Sequence, residues 1–209
     1  HYLAARDASE AGPEADALTG QARLALTGAA DRAAMLGAHD QAIAYLDRAL
    51  GITTTAADRV GLLDRAASSA AAASRDAIGY AEEATTGYRA LGDQAEAIRA
   101  TTRLGRFLID AGEVVRATEV LERLLPEAES SRDQAALADT LANLSRAHMR
   151  MSANERAMAV ADRALAIAEP LDLEDLVAEA FNNKGSALNA VGRRRESIGD
   201  LDLLAETDV

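Results

Sequence analysis

Arginine and asparagine recur at helical spacing in the second half of the chain. Arg99, Arg103 and Arg106 are separated by four and three residues, which places them on one stripe of an α-helix, and Asp110 continues that stripe. An arginine fork donates to a carboxylate or a phosphate, and an asparagine amide pairs with a peptide backbone through both its oxygen and its nitrogen. Similar sets follow about 40 and 80 positions later. The candidate partner-binding residues are Arg99, Arg103, Arg106, Asn143, Arg146, Arg150, Asn182, Asn183 and Ser186.

Three acidic residues lie within the same stripes: Asp110, Asp139 and Glu179. They either pair with the neighbouring arginines or leave them free for a partner, and the sequence leaves both possibilities open. A second interpretation of the whole set is that its polar side chains solvate an inner face or join adjacent helices.

Motifs that carry enzyme chemistry are missing from the sequence. His1, His39 and His148 are too scattered for a local metal-ligand pair, and there is no cysteine. The phosphate-binding, dinucleotide-binding and serine-nucleophile glycine motifs are also absent. The sequence therefore predicts a non-catalytic chain without a metal or cofactor. His39 and His148 occupy aromatic positions of the repeat described below, which favours a packing role for both.

Charge and composition narrow the classes of partner. A net charge of −12 over 209 residues opposes general attraction to nucleic acid or to an anionic membrane. The basic segment 192–197 is interpreted as a solvated turn, since it has no interleaved aromatic residues to stack on bases. No long uncharged apolar window predicts a membrane span. Without cysteine or a signal peptide, the expected location is the cytoplasm.

A period of about 40 residues organises the chain. Helix-forming residues dominate throughout, which predicts an all-α fold. Gly112, Ser152 and Gly192 are each 40 positions apart. Around each, an apolar-periodic stretch runs to the small residue, turns, and restarts as a second amphipathic stretch, which is typical of an antiparallel helix hairpin. In the third unit the helices are expected at about 93–111 and 113–129.

Small and apolar residues in that unit have distinct expected roles. Gly112 suits the left-handed backbone that ends a helix. Ala117 is small where two helix axes approach closely, and Leu121 and Leu124 carry the face that packs inward.

This pattern resembles the tetratricopeptide (TPR) repeat. The Leu104-Gly105 pair matches the first helix of that repeat, and glycines at 37, 112 and 192 match its turn. Small residues of the second helix are matched by Ala42, Ala49, Ala77, Ala84, Ala117, Ala157 and Ala164. The resemblance covers about 21–206 and implies an α-α superhelix, a TPR-like solenoid, of about five helix hairpins with a partial helix at the N-terminus. The expected units are 21–54, 55–92, 93–130, 131–170 and 171–206, within a single domain over 1–209. Because the chain begins at His1 instead of Met, it is expected to be a fragment of a longer protein.

The resemblance also implies a function. First helices of such repeats line a concave groove that binds a peptide or a partner domain, and TPR domains that clamp a C-terminal carboxylate resemble the arginine and asparagine arrangement here. An acidic or C-terminal peptide is the partner this chemistry suits. The longer repeats resemble those of bacterial multidomain signalling proteins, either ATPase-linked transcriptional regulators or class III nucleotide cyclases. The alternative is a structural spacer or self-association module, acting through the terminal repeats, that positions neighbouring catalytic domains without binding peptide.

Overall fold

The computed structural model describes the backbone of residues 12–206 and the side chains of residues 12–192. Within that part of the chain all regular structure is helical, and a single 3₁₀ turn, Glu169–Leu171, separates the last two α-helices. The helices are α1 (Pro13–Met35), α2 (His39–Leu50), α3 (Ala56–Ala72), α4 (Ile78–Leu91), α5 (Gln94–Asp110), α6 (Val114–Ser130), α7 (Gln134–Arg150), α8 (Asn154–Ala168) and α9 (Glu174–Glu206).

Left-handed residues make the corners between helices except in the connections from α2 to α3 and from α6 to α7. Gly112 has a φ of 85° after α5, and the next N–H, of Glu113, donates back to the carbonyl of Leu108 over 2.8 Å. This backward hydrogen bond satisfies a carbonyl that the helix end would otherwise leave without a donor. Ser152 has a φ of 60° and makes the same corner after α7, although it carries a side chain. The other corners of this kind are at Gly37, Ser74, Gly92 and Asp172.

Among the described residues, 12–100 form one compact unit. In it, α1 packs on α2, α2 on α3, and α3 on α4. Its core is built from leucine and alanine, with Leu46 and Ala42 at 1% and 0% exposure. Small side chains at these positions let the helix axes approach closely.

Residues from Thr101 onward form the second compact unit, so the boundary between the units falls inside α5. Here α6 packs on α7, α7 on α8, and α8 on α9, while α7 also contacts α9. Gly105 marks the closest approach of α5 to α6, because a Cβ built there would lie 2.6 Å from Cδ2 of Leu121.

The expected fold class is confirmed: the chain is all-α and built from helix hairpins. In the third expected unit the helices run over Gln94–Asp110 and Val114–Ser130, close to the predicted bounds. The predicted packing of Leu121 and Leu124 is also confirmed, since they are 0% and 1% exposed. All seven alanines assigned to the second helices are buried as well: Ala42, Ala49, Ala77, Ala84, Ala117, Ala157 and Ala164.

The turn predicted at Gly192 is wrong. Residues Glu174–Glu206 form one continuous helix, and Gly192 lies inside it with an ordinary helical backbone. Glycine permits a left-handed corner without requiring one, and the arginines at 193–195 are good helix formers. The side chains of the basic segment from 193 onward lie outside the described residues, as does the start of the expected N-terminal partial helix in residues 1–11.

Candidate functional site

The predicted binding residues from Arg103 onward lie on α5 and α7, the first helices of two successive hairpins, and on the long helix α9 that follows them. Of the predicted set, Arg103, Arg106 and Arg146 are half-buried, Asn143 and Asn183 are buried, and Arg150, Asn182 and Ser186 are exposed. Arg99 belongs to the first compact unit, where its guanidinium pairs with the Glu96 carboxylate at 3.0 Å on the same helix.

An acid from the preceding hairpin holds Arg146. Its Nη2 donates to Oδ1 of Asp110 over 2.8 Å, joining α7 to α5. The two side chains are 29% and 49% exposed, so water screens the pair. Exposed ion pairs contribute about 1 kcal/mol or less. A competing carboxylate would therefore replace Asp110 at small cost.

Two further carboxyl groups lie beside the same arginines. Burial raises the pKa of Asp139 above its ordinary value of 3.8, while Arg106 and Arg103 act to lower it. Burial likewise raises the pKa of Glu179, against the lowering effect of Arg146. The acid–arginine cluster comprises Arg103, Arg106, Asp110, Asp139, Arg146 and Glu179. The question left open by the sequence is thus answered for Arg146, which pairs with Asp110.

The two buried asparagines make hydrogen bonds within the scaffold. Asn143 bonds within α7, and Asn183 joins α9 to α7. Asn143 Nδ2 donates to the backbone carbonyl of Asp139 over 2.9 Å and to its Oδ1 over 2.8 Å. Asn183 Nδ2 on α9 donates to the carbonyl of Ala142 on α7 over 3.1 Å. Oδ1 of Asn143 is buried and has no hydrogen-bond partner among the described residues. It is therefore a buried acceptor next to the cluster that the described residues leave without a donor.

A buried hydroxyl pair under this surface was missed by sequence reasoning. Thr102 and Thr140 share a hydrogen bond of 2.8 Å between their Oγ1 atoms, and both are buried. Because Thr140 donates to the carbonyl of Ala136, Thr102 must be the donor to Thr140. The pair fixes α5 against α7. Its only sequence signal is that threonine stands at two positions of otherwise apolar helix faces.

An open groove of about 580 Å³ lies in the first compact unit, and none of the predicted binding residues lines it. It runs between α1 and the start of α3, and its lining includes Thr19, Thr53 and the Arg23–Asp58 ion pair of 3.0 Å. Thr19 and Thr53 already donate to backbone carbonyls, so their hydroxyls serve the fold. Among residues 12–206, no helix is long and apolar enough to cross a membrane.

Solved structures of TPR-like proteins share this fold. One is a Podosopora anserina protein whose own TPR-like repeats are nearly identical to one another. It superposes with a TM-score of 0.66 at 17% identity, covering 90% of this chain and 97% of that one. A Rap protein in complex with competence and sporulation factor gives a TM-score of 0.66 at 14% identity, over 94% of this chain and 54% of that one. NprR in complex with its cognate peptide NprX gives a TM-score of 0.59 at 19% identity, over 90% of this chain and 60% of that one. No protein-family model and no curated protein matches the sequence. The similarity shows a TPR-like fold.

Proposed function

We propose that this chain is a non-catalytic interaction module that binds a peptide or a partner domain over the acid–arginine cluster. The observation that carries the proposal is the position of that cluster, with three arginines and three carboxylates on α5, α7 and α9, which are the first helices of two successive hairpins and the long helix that follows them. Such a surface offers donors and acceptors to one extended ligand. The NprR structure contains its cognate peptide NprX and the Rap structure contains competence and sporulation factor, and both support this use of the fold without identifying a partner here.

The peptide proposed is one with a free carboxylate, either acidic or C-terminal. Its carboxylate replaces Asp110 at Arg146, and the displaced pair is half-exposed and weak. Each charged hydrogen bond shielded from water contributes about 1.5 to 3 kcal/mol. Three or four of them sum to about 5 to 12 kcal/mol, a range around the roughly 8 kcal/mol of micromolar affinity, and association costs reduce that sum, so weak binding is expected.

The near-neutral balance of the cluster limits which peptides bind. Asp139 and Glu179 would repel a peptide carrying several carboxylates, so a single well-placed carboxylate suits the surface better than an acidic tract. In the wider protein, the module would act within a bacterial signalling or regulatory chain in the cytoplasm.

Fluorescence anisotropy with a library of labelled peptides tests the proposal. Peptides with a free C-terminal carboxylate are expected to bind, and their amidated counterparts to bind more weakly. Arg146→Gln should reduce binding. The matched control is Arg163→Gln, because Arg163 makes the same kind of ion pair, with Glu129 at 2.5 Å, between the second helices α6 and α8. Equal binding by both variants, or no difference between free and amidated peptides, would reject this assignment.

A further inference from the structure

Apolar side chains of α9 are exposed at positions whose counterparts in the earlier hairpins are buried. Phe181 and Leu188 are 52% and 59% exposed. The residues 40 and 80 positions before each of them are at most 5% exposed. Those counterparts are Thr101 and Leu141 for Phe181, and Leu108 and His148 for Leu188. A face that the repeat normally buries is therefore open on α9.

The second helix of each earlier hairpin covers this face. Leu121 of α6 lies against Gly105, and Ser145 Oγ on α7 donates to the carbonyl of Ala157 on α8 over 2.8 Å. Gly185 occupies the same column, 40 positions after Ser145, and a Cβ built there would meet nothing within 4 Å. Phe181, Gly185 and Leu188 are termed the α9 face. What it lacks is a second helix.

The sequence that corresponds to that missing helix is 194–206. Leu201 and Leu204 stand 80 positions after Leu121 and Leu124, the two leucines that α6 buries. In the structure this segment continues α9 in the same helix. With a rise of 1.5 Å per residue, the backbone at 201 lies about 24 Å along the axis from Gly185. The segment therefore does not cover the α9 face of its own chain.

We propose that a second copy of this chain covers the α9 face. Two α9 helices lie antiparallel, and each places its residues 194–206 over Phe181, Gly185 and Leu188 of the other copy. Leu201 of one copy then meets Gly185 of the other, repeating the contact of Leu121 with Gly105. The arrangement is closed and two-fold symmetric, because pairing 185 with 201 in one direction gives the same pairing in the other. This inference is independent of the proposed peptide binding.

Disulfide cross-linking tests the register directly, since the chain has no cysteine of its own. The variant Gly185→Cys, Leu201→Cys is oxidised, and the linked peptides are identified by mass spectrometry from a mixture of ¹⁵N-labelled and unlabelled protein. A cysteine fits at position 185 because the corresponding residue of α7, 40 positions earlier, is Ser145, whose side chain is of similar size. A disulfide requires the two Cα atoms to lie within about 7 Å of each other. We expect the linkage to join labelled to unlabelled chains. A linkage found only within single chains would show that 194–206 folds back as a hairpin and would overturn the proposal, as would no linkage.

Sedimentation velocity over a wide concentration range provides the second test. Wild-type protein is expected to form dimers. Gly185→Leu should weaken dimerisation by about tenfold or more, because it blocks the close approach of the second helix. The matched control is Gly79→Leu, since Gly79 is also a helical glycine with nothing within 4 Å of an added Cβ. A monomeric wild type, or equal dimerisation of the two variants, would refute the proposal that a second copy covers the α9 face.

Discussion

Replacing Gly105 with alanine perturbs a close approach of α5 and α6 in the second compact unit. The added Cβ would lie 2.6, 2.7 and 3.0 Å from Cδ2, Cγ and Cδ1 of Leu121. Leu121 is fully buried, so its side chain has no solvent to move into. Its Cγ is one bond from Cβ and moves little on rotation about the outer bonds. Helix α6 must therefore shift away from α5.

Two opposing effects set the size of the change. Overpacking a buried site costs about 1 to 3 kcal/mol, and three close atoms favour the upper part of that range. Alanine in place of glycine in a helix interior raises the free energy of unfolding by about 1 kcal/mol, because alanine has the higher helix propensity. We expect Gly105→Ala to lower the free energy of unfolding by about 1 to 2 kcal/mol. The control is Gly61→Ala in α3, where an added Cβ meets nothing within 4 Å. The free energy of unfolding of that variant should rise by about 0.5 to 1 kcal/mol.

Urea unfolding followed by far-UV circular dichroism measures both variants against the wild type. A Gly105→Ala protein as stable as the wild type would refute the described spacing of α5 and α6. The double variant Gly105→Ala, Leu121→Ala provides a second check, because removing the leucine branch removes the clash. Its loss of stability should be smaller than the sum of the two single losses.

Three further outcomes are expected in the same unfolding assay. Gly192→Ala should add about 0.5 to 1 kcal/mol, because the residue is inside a helix; a left-handed corner there would make the same change destabilising. Thr140→Val leaves the buried hydroxyl of Thr102 without its acceptor and should cost about 1 to 3 kcal/mol, while replacing both threonines by valine should cost less than the sum of the single changes. Burial lowers the pKa of His148 below its ordinary 6.5, against the raising effect of Glu122. The unfolded chain therefore binds more protons below pH 6.5, so wild-type stability should fall as pH drops through this range, and His148→Leu should lose that component of the fall.

The hairpins could be predicted from sequence because their determinants are local. A glycine at 112 is free to adopt the left-handed corner, and an alanine at 117 is small enough for close helix approach wherever the two helices meet. The single helix over 174–206 could not be predicted in this way. Gly192 looks like the other turn glycines, and whether it turns depends on what its flanking segment packs against, which is a tertiary property.

The helices that hold the candidate residues could be predicted, and the partners of those residues could not. Helical spacing assigned the arginines and asparagines to the first helices, which is where the structure has them. A repeat of 40 places Arg146 opposite Arg106, however, and the structure pairs Arg146 with Asp110, 36 positions earlier. The difference of four residues is about one helical turn. This stagger arises from packing between hairpins, so no rule of sequence spacing supplies it.

Ion pairs of this offset are not confined to the proposed binding surface. Arg163 pairs with Glu129, 34 positions earlier, on the second helices α8 and α6. Pairing therefore shows only that charged residues join successive hairpins. What distinguishes Arg146 is its neighbourhood, where burial raises the pKa of Glu179 and Asn143 keeps an acceptor without a partner. If the first-helix surface binds a peptide, Arg146→Gln and Arg163→Gln should cost similar stability and differ in affinity. Similar costs in stability with equal affinities would mean that both arginines serve the scaffold alone.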